Sequence, residues 1–273
     1  MLHKRVTLGL SLFLLCIGIT AHAQRLPDRT LSERLIGTIN TSRWLKETLK
    51  ISPDSRRIAY VSQIGNTGVV VVDGKEGKRH DGMAGPGPVF SPDSKRLAYG
   101  ARSGHKWFAV VDGEELKQYD GILKGTPIFS SDSKHLAYGA QAGNKWVVVV
   151  DGKELKQYDG ILKDTLAFSP DGKRLAYGAG VGSKRFVVVD GKELKQYDGI
   201  LEGTLLFSLN SKRLAYGAGA AGKQFVVVDG KEEKQYDAIV TQGGGKILFD
   251  SADSFHYLAF KGSSIYLVEE RIK

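Results

Sequence analysis

Phe168-Ser169-Pro170-Asp171-Gly172-Lys173-Arg174-Leu175-Ala176-Tyr177 is the clearest copy of a motif that recurs along this chain. Related segments begin at Ile51, Phe90, Phe129 and Phe207, and consecutive starts are 39 residues apart. No segment with the periodicity of a helix separates the copies. A fixed period of this length without helices predicts a series of small β-sheets that bury their faces against one another.

The third repeat contains four predicted strands. Residues 126–130 form a short apolar run, residues 135–139 alternate large and small side chains, and residues 145–150 are almost continuously β-branched. Asp151-Gly152 is a strong hairpin signal, after which residues 153–161 return as the outermost strand. We therefore predict that each repeat folds as a four-stranded antiparallel meander.

The recurring Ser-Pro-Asp turn, seen best at 169–177, resembles the repeat of TolB-like β-propellers, which are related to the WD-repeat class. The resemblance covers nearly all of residues 51–260. It implies an all-β fold, a propeller whose blades are four-stranded antiparallel sheets. TolB itself carries an additional α/β domain before its propeller, and residues 24–50 are too short to hold one. The resemblance therefore indicates the fold rather than a role in the Tol system.

The number of repeats predicts six blades, which begin near residues 51, 90, 129, 168, 207 and 249. The last repeat supplies only three strands, ending with residues 264–268. Residues 31–40 precede the first repeat, where an outermost strand would lie. If they pair with residues 264–268, the last blade is closed by the N-terminal strand and leaves no open sheet edge.

The first residues have the pattern of a cleavable signal peptide. Lys4 and Arg5 precede an apolar run at residues 6–19, and Ala21-His22-Ala23 is a small-x-small cleavage signal. The run is too short for a comfortable membrane span. Cys16 lacks the preceding small residue of a bacterial lipoprotein site. We predict a signal peptide over 1–23, no membrane span, and one propeller domain over 24–273 that is periplasmic or secreted.

The charge of the chain favours an acidic partner. The formal net charge is +9, and removal of residues 1–23 lowers it to +7. Nucleic acid, an anionic envelope polymer and a lipid surface are all acidic. An exported protein seldom meets nucleic acid, and no aromatic-and-basic motif is present. We therefore predict a partner that is a protein or an anionic component of the cell envelope, and no nucleic acid.

Candidate binding residues lie in the loops that the strand order assigns to the channel-mouth face. Four lysines recur there at intervals of 39 residues, Lys106, Lys145, Lys184 and Lys223. One interpretation is an anion-attracting arc, and the other is solvated charge beside an apolar strand. Trp107 and Trp146 follow two of these lysines and are candidate platforms for a sugar or a peptide. The alternative is that both tryptophans pack against neighbouring side chains and are not available to a ligand.

A second repeated feature is a Tyr-Asp pair at the end of each repeat, from Tyr119-Asp120 to Tyr236-Asp237. We predict that each aspartate caps its own turn, although carboxylates around a channel also suit a cation. The first repeat has His80-Asp81 instead. His80 and His105 are therefore candidate site residues that break the symmetry. No histidine spacing predicts a metal site, and no residue set predicts a catalytic site or a cofactor.

The leading prediction is a non-enzymatic, monomeric propeller that serves as a binding scaffold. The first alternative is a propeller hydrolase or lyase in which His80, His105 and the channel aspartates converge only in three dimensions. The second is a lectin-like binder of acidic glycan, which requires Trp107 and Trp146 to be exposed beside their lysines.

Overall fold

A computed structural model describes residues 31–272. The predicted signal peptide, residues 1–23, lies outside these residues. The chain divides into two compact units after Leu35, and all the strands belong to the unit that begins at Ile36. Among the described residues, no helix is long and apolar enough to cross a membrane.

The first half of this unit contains three sheets. The first comprises β1 (Trp44–Ile51), β2 (Ile58–Ile64), β3 (Thr67–Val72) and β4 (Lys75–His80). The second comprises β5 (Gly82–Phe90), β6 (Leu97–Ser103), β7 (Lys106–Val111) and β8 (Glu114–Glu115). The third comprises β9 (Gly121–Ile122), β10 (Ile128–Phe129), β11 (Leu136–Ala142), β12 (Lys145–Val150) and β13 (Lys153–Tyr158).

The second half contains three more. The fourth sheet comprises β14 (Gly160–Ile161), β15 (Ala167–Phe168), β16 (Leu175–Val181), β17 (Lys184–Val189) and β18 (Lys192–Glu193). The fifth comprises β19 (Gly199–Ile200), β20 (Leu206–Phe207), β21 (Leu214–Ala220), β22 (Lys223–Val228) and β23 (Lys231–Glu232). The sixth comprises β24 (Ala238–Ile239), β25 (Leu248–Phe249), β26 (Ser254–Lys261) and β27 (Ser264–Arg271), with a short 3-10 turn at Gln242–Gly244.

The four-stranded antiparallel meander predicted for each repeat is confirmed, with two corrections. The innermost strand of the third to fifth sheets is two short pieces, such as β9 and β10, which both pair with β11. The predicted strand over 153–161 is divided between two sheets. Its first part, β13, pairs with β12, whereas β14 pairs with β16 of the fourth sheet. The chain therefore crosses between sheets immediately after Tyr158.

The core lies between successive sheets because strand side chains alternate in direction. Val147 and Val149 of β12 pack with residues of the second sheet, whereas Val148 packs with Tyr177 and Phe186 of the fourth. Small residues on the second strand also leave room for side chains of the adjacent innermost strand of the same sheet. A Cβ at Gly178 would lie 2.8 Å from Cδ1 of Leu162. The continuous β-branched run of the sequence is thus buried on both faces, as predicted.

The predicted closing strand is not formed. Residues 31–40 have no strand structure, and among the described residues β27 pairs only with β26. Ile39 instead packs with Tyr60, Val69 and Val71 of the first sheet. These buried apolar contacts hold the segment against the first sheet rather than along the last one. Six blades joined in a closed ring therefore remain a prediction.

Candidate functional site

Arginine links join neighbouring sheets. Arg57 donates from Nε to Asp73 in its own sheet at 2.9 Å and from Nη1 to the carbonyl of Ser94 in the second sheet at 3.1 Å. Its guanidinium carbon lies 5.3 Å from the ring centre of Phe90. Three arginines at equivalent positions also link their sheet to the next one, namely Arg96, Arg174 and Arg213.

Serine links join the same pairs of sheets. The hydroxyl of Ser94 accepts a hydrogen bond from the amide of Asp54 at 3.0 Å, although the two residues lie in different sheets. Ser133 accepts in the same way from Asp93, and Ser211 accepts from Asp171, both at 2.9 Å. An arginine and a serine therefore fasten the first to the second sheet, the second to the third, and the fourth to the fifth.

The junction between the third and fourth sheets lacks both links. His135 replaces the arginine, and Gly172 replaces the serine. Nδ1 of His135 lies 2.6 Å from Asp151, and the imidazole stacks on Phe168 with ring centres 6.4 Å apart. No hydrogen bond between described residues joins His135 to the fourth sheet. Gly172 has no hydroxyl to offer to the amide of Asp132. This junction therefore lacks both links, although Ser131 donates to the carbonyl of Ser169 at 3.4 Å and Lys156 pairs with Glu193 at 2.6 Å across it.

A groove of about 610 Å³ lies at this junction, and we call it the third–fourth groove. Its apolar lining consists of Val150, Leu155, Phe168, Leu175 and Tyr177, and Lys153 and Lys173 are at its rim. The groove between the second and third sheets has a similar volume, about 580 Å³. The difference is chemical, because the guanidinium of Arg96 lines that groove whereas a shorter imidazole lines this one.

The unpaired charge of the third–fourth groove is positive. Asp190 forms an ion pair with Arg174 at 2.8 Å, and Asp151 makes a hydrogen bond with His135, which leaves the lysines Lys153 and Lys173 in excess. Lys153 and Lys173 are exposed, and neither forms an ion pair within residues 31–272. The groove can therefore receive an apolar group that carries a negative charge.

The four predicted lysines are held by the aspartates of the Tyr-Asp pairs. Lys145 donates to Asp159 at 2.6 Å, and its three counterparts pair with Asp120, Asp198 and Asp237. The second oxygen of Asp120 accepts from the amide of Gly143 at 2.7 Å, in the next sheet. The prediction that each aspartate caps its own turn is therefore wrong. The anion-attracting arc stays a prediction. The ion pairs weaken it, because the positive charge of each lysine is opposed by the negative charge of an aspartate.

These ion pairs predict a loss of stability in acid. The hydrogen bond from the lysine is the main cause that lowers the pKa of Asp120, Asp159, Asp198 and Asp237. Their contribution is present above the ordinary carboxyl pKa of about 4 and is lost as the pH falls through the lowered value. We expect the thermal midpoint to fall more steeply between about pH 4 and pH 2 than in a variant with the four lysines changed to glutamine. Parallel pH profiles would contradict this account.

The other predicted site residues do not assemble into one site. His105 is exposed, whereas His80 is only 2% exposed and packs against Phe108. Burial lowers the pKa of His80 and favours its neutral form. Trp107 is half-buried beneath the guanidinium of Arg102. Trp146 is half-buried as well. Within residues 31–272 no cluster of three or more potential metal ligands is present.

Sequence reasoning missed the third–fourth groove, although a signal for it was present. An alignment of the repeats at 39 residues gives arginine at four positions and histidine at 135. The same alignment gives serine at 94, 133 and 211 but glycine at 172. The two departures lie in different repeats, so only the contact between sheets shows that they belong to one junction.

The successive four-stranded antiparallel meanders place the chain in the β-propeller class. Similar solved structures include TolB from Acinetobacter baumannii, at 18% identity and a TM-score of 0.41, over 80% of this chain and 61% of that one. A eukaryotic initiation factor has 12% identity and a TM-score of 0.49, over 83% of this chain and 63% of that one.

The β-propeller domain of the Trilobed protease from Pyrococcus furiosus has 11% identity and a TM-score of 0.40, over 81% of this chain and 82% of that domain. The TolB propeller predicted from the Ser-Pro-Asp repeats is thus among the similar structures. The chain spans less than two thirds of the length of TolB and of the initiation factor. No protein-family model and no curated protein matches this chain.

Proposed function

We propose that this chain is an exported, non-enzymatic β-propeller that acts as a docking platform for another protein, and that the third–fourth groove is its docking site. One observation carries the proposal. The arginine link and the serine link are both replaced at the same junction, by His135 and Gly172, while the neighbouring junctions keep both. Framework residues repeat around a propeller, whereas a single binding site needs residues that depart from the repeat.

The lining of the groove defines the segment that it would receive. Phe168, Leu175 and Leu155 offer an apolar surface to an aromatic or branched aliphatic side chain. Lys153 and Lys173 suit a carboxylate next to that side chain, because no acidic partner neutralises them within the described residues. The docking segment is therefore an exposed peptide with an apolar anchor beside aspartate or glutamate. Export rests on the signal-peptide pattern of residues 1–23.

Replacing His135 with arginine is expected to cover the apolar lining of the groove rather than to remove its volume, because the guanidinium of Arg96 lies 5.3 Å from the ring centre of Phe129, the counterpart of Phe168. In the second–third junction, Arg96 reaches the carbonyl of Lys134 at 3.4 Å, so an arginine at 135 can reach the fourth sheet in the same way. The probes are two short peptides that differ only in aspartate or lysine beside a phenylalanine. We expect H135R to weaken binding of the acidic peptide by at least about tenfold, which corresponds to about 1.4 kcal/mol.

The matched control is R96H, which makes the reverse exchange at the second–third junction and leaves the third–fourth groove intact. It should bind the acidic peptide as the native chain does. Both peptides are titrated against the mature chain by calorimetry, with unfolding curves for each variant. Equal binding of the acidic and basic peptides, or equal binding by H135R and the native chain, contradicts the proposed docking site.

A second candidate function, a hydrolase or lyase, is favoured by the pairing of His135 with Asp151. A carboxylate on Nδ1 orients an imidazole and leaves Nε2 as a base at the apolar groove. The candidate general base of the enzyme is then His135 instead of His80 or His105. Turnover of a panel of small esters that disappears in H135Q but not in R96H would favour the enzyme. If the native chain, H135Q and R96H hydrolyse the esters at equal rates, His135 is not a catalytic base and docking remains the proposed function.

A further inference from the structure

A lysine of one sheet and a glutamate on the fourth strand of the next form a repeated contact, which we call the outer link. Lys156 lies 2.6 Å from Glu193 of β18, and the hydroxyl of Tyr158 donates to the same carboxylate at 3.0 Å. The ammonium of Lys156 also lies 5.7 Å from the ring centre of Tyr158. The other outer links pair Lys78 with Glu115, Lys117 with Glu154, and Lys195 with Glu232.

The fifth sheet carries the donors of one more outer link. The ammonium of Lys234 lies 5.7 Å from the ring centre of Tyr236, as Lys156 does from Tyr158. Within residues 31–272, Lys234 forms no ion pair, and no carboxylate accepts a hydrogen bond from the hydroxyl of Tyr236. The missing glutamate would stand on a fourth strand of the sixth sheet, which ends at β27 in the described part of the chain.

The free edge of β27 is the place where a fourth strand would pair. The amide of Ile272 donates to the carbonyl of Asp253 at 2.7 Å, so every second residue back along β27 points its backbone groups at β26. The backbone groups of Ile265, Leu267 and Glu269 therefore point away from β26. Among the described residues, no strand pairs with this edge.

The fifth sheet shows how a glutamate is placed at such an edge. Alignment of the two hairpins matches Val227 of β22 with Val268 of β27. Glu232 lies opposite Val227, so both side chains face the fourth sheet, where Glu232 meets its lysine. The amide of the next residue, Glu233, donates to the carbonyl of Val226 at 2.9 Å.

We propose that β27 receives an added β-strand from a partner polypeptide, in which a glutamate opposite Val268 binds Lys234 and Tyr236. The residue after this glutamate donates its amide to the carbonyl of Leu267, the counterpart of Val226. Strand addition takes its affinity from main-chain hydrogen bonds and its specificity from alternate side chains. The partner segment is therefore extended and acidic on the face that meets the fifth sheet. This site is separate from the third–fourth groove.

The chain's own acidic residues do not fill this position. Glu270 lies on the same face of β27 as Val268 but is hydrogen-bonded to Glu233 instead. The free edge of a second copy is also a poor occupant. Antiparallel pairing that places Glu270 of the second copy opposite Val268 also places Glu269 of one copy opposite Glu269 of the other. Like charges directly opposite each other destabilise a strand pair.

Amide NMR spectra of the mature chain test the added strand. The probe is the peptide Lys-Glu-Leu-Lys-Gln-Tyr, the sequence of residues 153–158 that forms the fourth strand of the third sheet. We expect this peptide to shift the amide signals of Ile265, Leu267 and Glu269 and to protect these amides from hydrogen exchange. A peptide with glutamine in place of the glutamate is expected to bind about fivefold more weakly, because it forms no ion pair.

Methylation of single peptide amides tests the register. A methyl group on the leucine amide removes the donor to the carbonyl of Leu267 and should weaken binding by at least about tenfold. A methyl group on the glutamate amide is the control, because this amide points away from β27 in the proposed register. It should leave most of the affinity. Equal losses for the two methylated peptides contradict strand addition.

Variants of the chain test the lysine. Lys234→Gln is expected to bind the glutamate and glutamine peptides equally, about fivefold more weakly than the native chain binds the glutamate peptide. Lys195→Gln is the matched control, because the glutamate that Lys195 binds belongs to the chain itself. It should bind both peptides as the native chain does, and so should H135R, which alters only the third–fourth groove. Circular dichroism shows whether each variant is folded.

Two results overturn the proposal. One is the absence of signal shifts on β27 at millimolar concentrations of the glutamate peptide. The other is protection of the amides of Ile265, Leu267 and Glu269 before any peptide is added, since another segment of the chain or a second copy then occupies the edge.

Discussion

Replacing Phe186 with alanine is expected to lower the free energy of unfolding by about 3–5 kcal/mol. Phe186 is 1% exposed and lies in the core between the third and fourth sheets. Its ring is 5.5 Å from that of Tyr158, in an edge-to-face arrangement. Alanine removes this contact and leaves a cavity that the rigid strands on both sides cannot fill. The junction lacks the arginine and serine links of its neighbours, so the core is a large part of what holds it together, beside the contacts of Lys156 and Tyr158 with Glu193.

Urea unfolding followed by circular dichroism measures this loss. Phe186→Leu keeps most of the volume and is expected to cost less than half as much as Phe186→Ala. Leu209→Ala, at a position 73% exposed, is the surface control and should change the stability by less than about 0.5 kcal/mol. A loss below about 1 kcal/mol for Phe186→Ala would mean that the two sheets close over the cavity.

Replacing Glu270 with glutamine is expected to stabilise the protein above neutral pH. Glu270 is half-buried at the end of β27, where burial and a hydrogen bond with Glu233 raise the pKa of its carboxyl to about 7. Glu233 occupies the position at which the preceding repeats have Leu116, Leu155 and Leu194. A carboxyl group thus lies where the other sheets pack an apolar side chain, and charging Glu270 there is unfavourable.

The direction of the pH dependence follows from the raised pKa. The folded state binds the proton of Glu270 more tightly than the unfolded chain does. Stability is therefore lost as the pH rises from the ordinary value of 4.5 to about 7. Glutamine carries no charge, so Glu270→Gln should be more stable than the native chain at pH 8 by roughly 1–2 kcal/mol, with a smaller difference at pH 5.

Urea unfolding at pH 5 and pH 8 measures both differences. Glu269→Gln is the control, because Glu269 is exposed on the same strand. It should follow the pH profile of the native chain. Glu233→Leu restores the residue of the other repeats and should reduce the pH dependence without removing it, because burial, the larger cause of the raised pKa, remains. An unchanged profile in both Glu270→Gln and Glu233→Leu would show that this carboxyl pair does not control stability.

The third–fourth groove and the outer face of the sixth sheet arise from different kinds of departure from the repeat. At the groove, His135 and Gly172 are too small to make the links that their counterparts make. On the outer face of the sixth sheet, Leu258, Phe260 and Leu267 are as apolar as the side chains of a buried face, but within residues 31–272 no other sheet packs on them. The first departure removes two links between sheets, and the second leaves an apolar surface exposed.

Several features could be predicted from the sequence because they depend on local chemistry. Turn residues such as Pro170-Asp171-Gly172 and the hairpin signal Asp151-Gly152 specify where strands end. The β-branched run of residues 145–150 specifies a strand that is buried on both faces. Asp159-Gly160 does mark a break after Tyr158, but the sequence does not show that residues 160–161 pair with β16 of the next sheet, because only the pairing partners decide this.

The sequence by itself determined the all-β meanders, their period and their order, since neighbouring residues decide turns and strand alternation. Only the tertiary structure decided which side chains from different repeats meet. His135 and Gly172, from different repeats, meet at one junction, and within one repeat Lys145 and Asp159 form an ion pair rather than an open lysine arc. It also decided that Ile39 packs on the first sheet instead of closing the last. Such contacts join residues far apart in the chain, so no local pattern specifies them.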